Sequence, residues 1–488
     1  MNARRRAIAR CVQCRLDVRS LGLIISLASC AAPQRLSPPP LDTVALDSFA
    51  ARAMRDLEVP GAAIAVVRDG DVIYERVFGT KQLGADRPIT RDTRFLLASA
   101  TKPLTTLMIQ ALVDDKALAW DTPVSELLPS FALGDGTLTR QLRLWHMVCA
   151  CTGMPRRDME SLFEWEGVTP EARLDLLRSM HPTSALGAEY HYSNLMIAAG
   201  GFIAAHRFAP EAALADAYAS AMQAKVFEPL GMRTATLRFA TVLAGDHALP
   251  HARDIQGTLR PMPLAIERAV EPIAPAGGAW VSLRDMERLA LHEALGVGER
   301  GRARIAIDDH SSYGLGYRIK RKDGITAFTH DGGAFGFGTT LYVVPSARTA
   351  IVILTNVRND NAQEHLPFVA VMRQRLLEAL SLAPRAAEAL LAEYRRIAPG
   401  KKPHVMSDRG WLPALVGRYH HPLLGDVHIT TDGMFDVGEW KSRFDRVVNA
   451  DGRTQLVLLD PPFAGPSVLV ENGTLIVPGD PPYILERR

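Results

Sequence analysis

The sequence predicts an α+β fold, in the broad α/β class: an antiparallel sheet flanked by helices, an inserted all-helical subdomain, and a small C-terminal all-β domain. Three observations predict it. Apolar strand patterns at 61–81 and 324–356 bracket a long stretch of helical periodicity, which is simplest if both sets of strands share one sheet. From Trp411 the texture changes to short alternating runs with turn signals at Asp432-Gly433, Asp451-Gly452 and Asn472-Gly473, the pattern of a small barrel or sandwich. Finally, 488 residues exceed what one core usually organises, while 47% hydrophobic and 22% charged residues are ordinary globular values. The resulting boundaries are a leader at 1–29, a tether at 30–42, a large domain at 43–400 and a β-domain at 408–488.

In the leader, "LGLIISLASCAAP" from Leu21 is a short apolar run ending in Leu27-Ala28-Ser29-Cys30 after several arginines. It is too short for a permanent membrane span. It resembles a bacterial lipoprotein signal, whose cysteine becomes the lipidated first residue of the mature chain. The resemblance implies export to the bacterial cell envelope as a periplasmic lipoprotein, anchored to the membrane through Cys30. The leader is long and holds Asp17, so a start at Val18 would leave a more conventional signal. An ordinary secretory or disordered leader is the other reading. "AAPQRLSPPPLD" then reads as a flexible tether.

The formal net charge is +3, of which residues 1–29 contribute +5 through six arginines and one aspartate, leaving −2 on the remainder. That balance gives no electrostatic case for binding nucleic acid. Cys11 and Cys14 fall in the leader, which leaves Cys149 and Cys151 in the folded part. Side chains two apart on a helix point away from each other, so two buried thiols are expected there.

"GAAIAVVRDGDVIYERVFGTK" from Gly61 reads as two strands joined at Asp69-Gly70. Helical patterns follow, clearest at Pro103 to Lys116, Pro170 to Met180, Leu195 to Ala205 and Glu211 to Val226. Three strands return between Gly324 and Asn356, and a long helix, broken near Pro384, is expected over Glu364 to Arg396. There are no internal repeats. A site where the sheet meets the helical insert is the natural cleft.

Ser99-Ala100-Thr101-Lys102 is the only Ser-x-x-Lys in the chain. On a helix that begins at the serine, i and i+3 share a face, so the lysine nitrogen reaches the serine oxygen. A buried lysine with a lowered pKa can take the hydroxyl proton, and the helix N-terminus favours a developing oxyanion. A capping serine followed by a solvated lysine is the bland alternative. Two further motifs bear on it. Tyr192-Ser193-Asn194 precedes an apolar helix, and His330-Asp331-Gly332-Gly333 stands on or beside a strand. Tyr192 can pass a proton, the Asn194 amide can bond the lysine and a substrate carbonyl, and the glycines admit a substrate close to the backbone, with the Gly333 N–H as a second oxyanion donor. Taken singly, Asn194 also reads as a helix cap and the glycines as a β-bulge.

In this order the three motifs resemble the active site of the serine β-lactamase and penicillin-binding-protein superfamily, with Ser-x-x-Lys, Tyr-x-Asn and Lys/His-x-Gly. "LVDDKALAWDTPVSELLPSF", "PAGGAWVSLRDMERLA" and "YGLGYRI" resemble further segments of it, and the likeness covers about Leu41 to Leu380. The class C β-lactamase, esterase and D-aminopeptidase branch is the most similar. The resemblance implies a serine hydrolase in which Ser99 forms an acyl-enzyme, Lys102 and Tyr192 handle protons, the Ser99 and Gly333 amides hold the oxyanion, and no metal or cofactor takes part. Asn194, His330, Asp331 and Gly332 would complete substrate binding.

Departures from the family bear on the substrate. A histidine and Asp331 stand where β-lactamases carry Lys-Thr-Gly or Lys-Ser-Gly, and an acidic side chain there would repel a carboxylate. An uncharged or amine-bearing ester, amide or peptide is therefore favoured over penicillins. A β-lactamase or D-Ala-D-Ala carboxypeptidase is the alternative, and a catalytically silent cell-wall-binding or sensor protein is the alternative from another class. In "VCACTGMPRRD", where many relatives read His-Thr-Ser-Gly, Ala150 takes the histidine position and Cys151 the threonine position. The C-terminal β-domain resembles accessory barrels of D-aminopeptidase relatives. His146 reads as a core or supporting residue, and His420-His421 as surface.

Overall fold

The computed structural model describes residues 40–322, 324–358, 366–397, 405–449, 451–479 and 481–488, so Cys30, the leader and nearly all of the tether lie outside the described residues. The early and late strands do share one sheet. In hydrogen-bonded order its strands are Asp71–Gly79, Gly61–Arg68, Thr349–Thr355, Gly338–Val344, Ile325–Gly333, Arg318–Lys322, Ser311–Tyr313 and Ile305–Asp308, with antiparallel neighbours throughout. The last two are short strands that the sequence reading does not anticipate. They alternate weakly or not at all in burial, so periodicity hardly marks them.

Central strands are buried on both faces, which is why Gly61–Arg68 reads as a continuous apolar run. Ala62, Ile64 and Val66 face one side with Ile351 and Ile353, under helices Thr43–Asp56 and Pro367–Ala379. Ala63, Ala65 and Val67 face the other side with Val352 and Leu354, joining the larger core of the helical insert. The expected long late helix is two helices, Pro367–Ala379 and Ala387–Ile397, because Ser381 turns the chain with φ +59 before Pro384.

In the insert, helix Asn194–Phe208 is buried along nearly its whole length, as an all-round apolar helix must be. Gly201 lets it approach closely: a Cβ there would stand 2.4 Å from Pro275 Cβ and 2.8 Å from Thr105 Cγ2. That contact sets the spacing between this helix and helix Thr101–Asp114.

The C-terminal strands, Gly417–His421 to Tyr483–Arg487, close into an eight-stranded barrel. Its interior is filled by Tyr419, Val427, Phe435, Phe444, Leu456 and Leu485, and the same core continues into Phe163, Trp165, Met262 and Ile266 of the preceding domain. Leu41–Arg488 is accordingly one compact unit. Polar contacts seal the junction: Tyr483 OH donates to Glu160 at 2.9 Å, Trp440 Nε1 donates to the Leu162 carbonyl at 2.7 Å, and Glu439 accepts from the Trp165 and Glu166 amides.

Candidate active site

Ser99 sits in the tight turn Ala98–Ala100 that leads into helix Thr101–Asp114. Ala98 holds φ +47 just before it, a left-handed conformation that costs a non-glycine residue energy and that clusters at functional sites. Lys102, one turn later, is fully buried. Its Nζ lies 3.0 Å from Ser99 Oγ, 2.8 Å from Asn194 Oδ1 and 2.7 Å from the Ala276 carbonyl. Burial drives the lysine pKa well below its ordinary value, with Arg156 acting in the same direction and Asp158 opposing. In its neutral form the amine would give its two N–H groups to the two carbonyl oxygens and turn its lone pair to the Ser99 hydroxyl, the arrangement a general base needs.

Tyr192 OH donates to Ser99 Oγ at 2.9 Å. Burial pushes its pKa up, so the phenol is protonated and able to donate. Asn194 is oriented from both ends: its Oδ1 accepts from Lys102, and its Nδ2 donates to Asp158 Oδ1 at 3.0 Å. Asp158 also pairs with Arg156, whose guanidinium lies 5.4 Å from the centre of the Tyr192 ring. Sequence reasoning gave Asp158 no role, its only signal being its place in the departing stretch "VCACTGMPRRD".

The third motif divides between the two faces of its strand. His330 faces the serine side: Tyr313 OH donates to its Nε2 at 3.0 Å, and its Nδ1 lies 2.9 Å from the Asp331 carbonyl. Burial and the nearby Lys102 push the imidazole down to about 3, so it is neutral and offers no cation. Asp331 points the other way, and the expectation that it lines the substrate site is corrected. Its carboxylate pairs with Arg373 at 2.7 Å and accepts from Thr340 Oγ1 at 2.5 Å, because successive side chains on a strand alternate in direction. Gly332 is also reassigned. A Cβ there would stand 2.0 Å from the Leu97 carbonyl and 3.0 Å from the Ala100 amide, so the absent side chain admits the Ser99 turn and not a substrate. Gly333 lines the cleft together with Ser99 and Asn194.

That cleft measures about 910 Å³. Its far wall comes from the barrel, through the loop that carries Phe463 and Pro466. Phe463 packs edge-on against Phe335 with centroids 5.5 Å apart and lies 4.5 Å from Trp440. The expectation of two free thiols is corrected as well: Cys149 and Cys151 form a disulfide, with Cα atoms 5.2 Å apart. Ala150 between them holds φ +54, an irregular backbone that brings the two Cα atoms within bridging distance. His146 has a supporting place, its Nδ1 accepting from the Arg143 amide. His420 pairs with Asp426 on the barrel.

A family model described as Beta-lactamase matches residues 46–373. Among curated proteins, the unguisins hydrolase ungD' of Aspergillus campestris is 27% identical over 324 residues, 61% of this chain and 58% of that protein. Esterase EstB of Burkholderia gladioli is 30% identical over 262 residues, 48% of this chain and 65% of that protein. The chain therefore spans less than two thirds of the length of these relatives. Among solved structures, the octameric penicillin-binding protein homologue from Pyrococcus abyssi superposes with a TM-score of 0.62 over 91% of this chain and 100% of that one, at 19% identity, a likeness of fold.

Proposed function

Since the chain belongs to the Beta-lactamase family, we propose that it is a serine hydrolase that cleaves esters or amides, including D-amino-acid or peptide types, through a Ser99 acyl-enzyme. The observation that carries this reading is the hydrogen-bond order at Ser99. With Lys102 neutral, its two amine hydrogens go to Asn194 and Ala276, and with Tyr192 donating to Oγ the serine proton is placed to move to the lysine nitrogen 3.0 Å away. On substrate attack the proton moves from Ser99 to Lys102 as Oγ bonds the carbonyl carbon. Tyr192 then delivers a proton to the leaving group and is reprotonated from Lys102, and water repeats the sequence to release the acid. The Ser99 and Gly333 amides serve the oxyanion.

Esterase-like use is supported by His330, which is neutral and cannot fix a carboxylate by charge. A second reading, a substrate bearing a carboxylate as in carboxypeptidases and β-lactamases, is favoured by Arg358. A Cβ on Gly333 would stand 3.4 Å from its Nε, and both residues line the cleft. A panel of short-chain nitrophenyl esters, D-amino-acid amides and nitrocefin tests both. We expect ester turnover and fluorophosphonate labelling that disappear in Ser99→Ala, with slow nitrocefin hydrolysis. Equal turnover by wild type and Ser99→Ala would overturn the assignment, and rapid nitrocefin hydrolysis would select the second reading.

The proposed location is the bacterial envelope, anchored through Cys30. The Cys149–Cys151 disulfide is in keeping with an oxidising compartment. Cys30→Ser should move the protein from the membrane to the soluble fraction, and a variant that stays bound would rule the anchor out.

A further inference from the structure

We infer that the Cys149–Cys151 disulfide is a positioning element for Tyr192, an inference that rests on the hydrolase reading of Ser99. The bridge encloses Ala150 at φ +54, a conformation that residues other than glycine, asparagine and aspartate rarely adopt. In that conformation the Ala150 carbonyl accepts from the His191 amide at 2.8 Å, and the Cys151 carbonyl accepts from the Gly187 amide at 2.7 Å. These bonds hold both ends of the segment 187–191. The next residue is Tyr192, with its hydroxyl 2.9 Å from Ser99 Oγ. On the other side of the bridge the Val148 carbonyl accepts from the Gly316 amide at 3.2 Å, and Gly316 packs on the Ser99 helix, where a Cβ would stand 2.9 Å from the Lys102 carbonyl. The disulfide thus lies between the backbone of the lysine and the loop of the tyrosine, tied to the loop by hydrogen bonds and to the lysine through the Val148–Gly316 bond and the packing of Gly316.

Two free thiols would not specify this shape. Without the bridge Ala150 relaxes to an ordinary negative φ, and the carbonyls on which segment 187–191 depends turn away. The half-cystines are buried, 0% and 1% exposed, which suits a permanent fixture better than a switch exposed to reductants. A displacement of the Tyr192 hydroxyl by about 1 Å is enough to cost on the order of 100-fold in rate. Neither half-cystine is among the residues that line the cleft with Gly333, Phe335 and Phe463, so binding should change little.

Fluorophosphonate labelling of wild-type Ser99 comes first and separates the two ideas. No labelling overturns the hydrolase reading and this inference with it. With labelling established, peptide mapping of the active protein without reductant should show Cys149 joined to Cys151, and two free thiols would overturn the inference. In the double variant Cys149→Ser/Cys151→Ser, kcat for a nitrophenyl ester should fall at least about tenfold with KM within about threefold. Adding Ala150→Gly to that variant should recover at least half of the lost log kcat, because glycine takes positive φ freely. Wild-type kcat in the double variant, or no recovery on adding glycine, sinks the proposal. If the double variant does not fold, the same kcat comparison is made on wild type refolded with and without a phosphine reductant.

Discussion

Asp331 and Arg373 form an ion pair of 2.7 Å that ties the third-motif strand to helix Pro367–Ala379, on the face of the sheet turned away from His330 and Tyr192. The pair therefore acts on the strand and not on a substrate. Burial alone would raise the Asp331 pKa, but Arg373, Lys320 and the Thr340 hydroxyl hold it below the usual carboxylate range. A depressed carboxylate contributes stability above its unfolded pKa and loses it as the pH falls through the folded value. The Asp331 side chain is 39% exposed, so solvent screens the pair, and Asp331→Asn should cost only about 1 kcal/mol at pH 7. Urea melts should show that difference shrinking toward pH 3. A tenfold change in preference between carboxylate-bearing and neutral esters would contradict this placement.

Lys102 supplies a second pH signature, opposite in origin. Its folded pKa is depressed by burial, so below pH 10.5 the unfolded chain binds the lysine proton more tightly than the native one. Stability from this group therefore rises with pH between the lowered folded value and 10.5, by at most about 1.4 kcal/mol per pH unit. Lys102→Met removes the titration together with ester turnover. Chemical denaturation of both proteins at pH 6, 8 and 9.5 should show wild type gaining on the variant as the pH rises. Parallel curves would mean that Lys102 is charged in the folded protein.

Much of this arrangement was legible in the sequence, because Ser99, Lys102, Tyr192 and Asn194 stand at helix starts, where spacing fixes which face a side chain takes. The strand motif was less legible. His330 and Asp331 are adjacent in sequence, and only the register of the sheet shows that one faces Ser99 and the other Arg373. Gly332 looked like room for a substrate, but that room is filled by the Leu97–Ala100 turn, a contact between segments more than 230 residues apart. The Cys149–Cys151 bridge was misread because the periodicity argument assumes regular backbone, and Ala150 is not regular. The barrel could be read as all-β from its turns, but nothing in its alternation indicates that Phe163 and Trp165 of another domain complete its core.

The barrel's share in the cleft leads to a specificity prediction. Phe463 reaches the serine side only because the barrel core is continuous with the preceding domain, and its ring meets Phe335 two residues beyond Gly333. Phe463→Ala should widen this wall. Relative kcat/KM for a bulky acyl ester over acetyl ester is expected to rise about tenfold or more, the scale on which apolar pockets discriminate by size. Labelling of Ser99 by a small fluorophosphonate should stay within about threefold, since the hydrogen bonds at Oγ are untouched. An unchanged ratio would show that substrates do not pass Phe463.

Glu267 gives the clearest pH test outside the Ser99 cluster. Its side chain is 1% exposed, and its Oε1 accepts from the Gly336 amide at 2.8 Å, in the turn that follows Gly333. Burial raises its pKa to about 8, with the Gly336 and Phe335 amides and Arg358 opposing, so the carboxyl is mostly protonated at neutral pH. The native state therefore binds the proton more tightly than the unfolded state between the ordinary value of 4.5 and about 8. Stability from this group falls as the pH rises through that window, again by at most about 1.4 kcal/mol per unit. Glu267→Gln keeps an acceptor for Gly336 and cannot ionise. Denaturation at pH 5, 7 and 9 should find the variant near or slightly below wild type in acid and gaining on it as the pH rises. If the variant instead loses ground toward pH 9, Glu267 is ionised in the folded protein and stabilised by a partner, and the turn after Gly333 is held by charge.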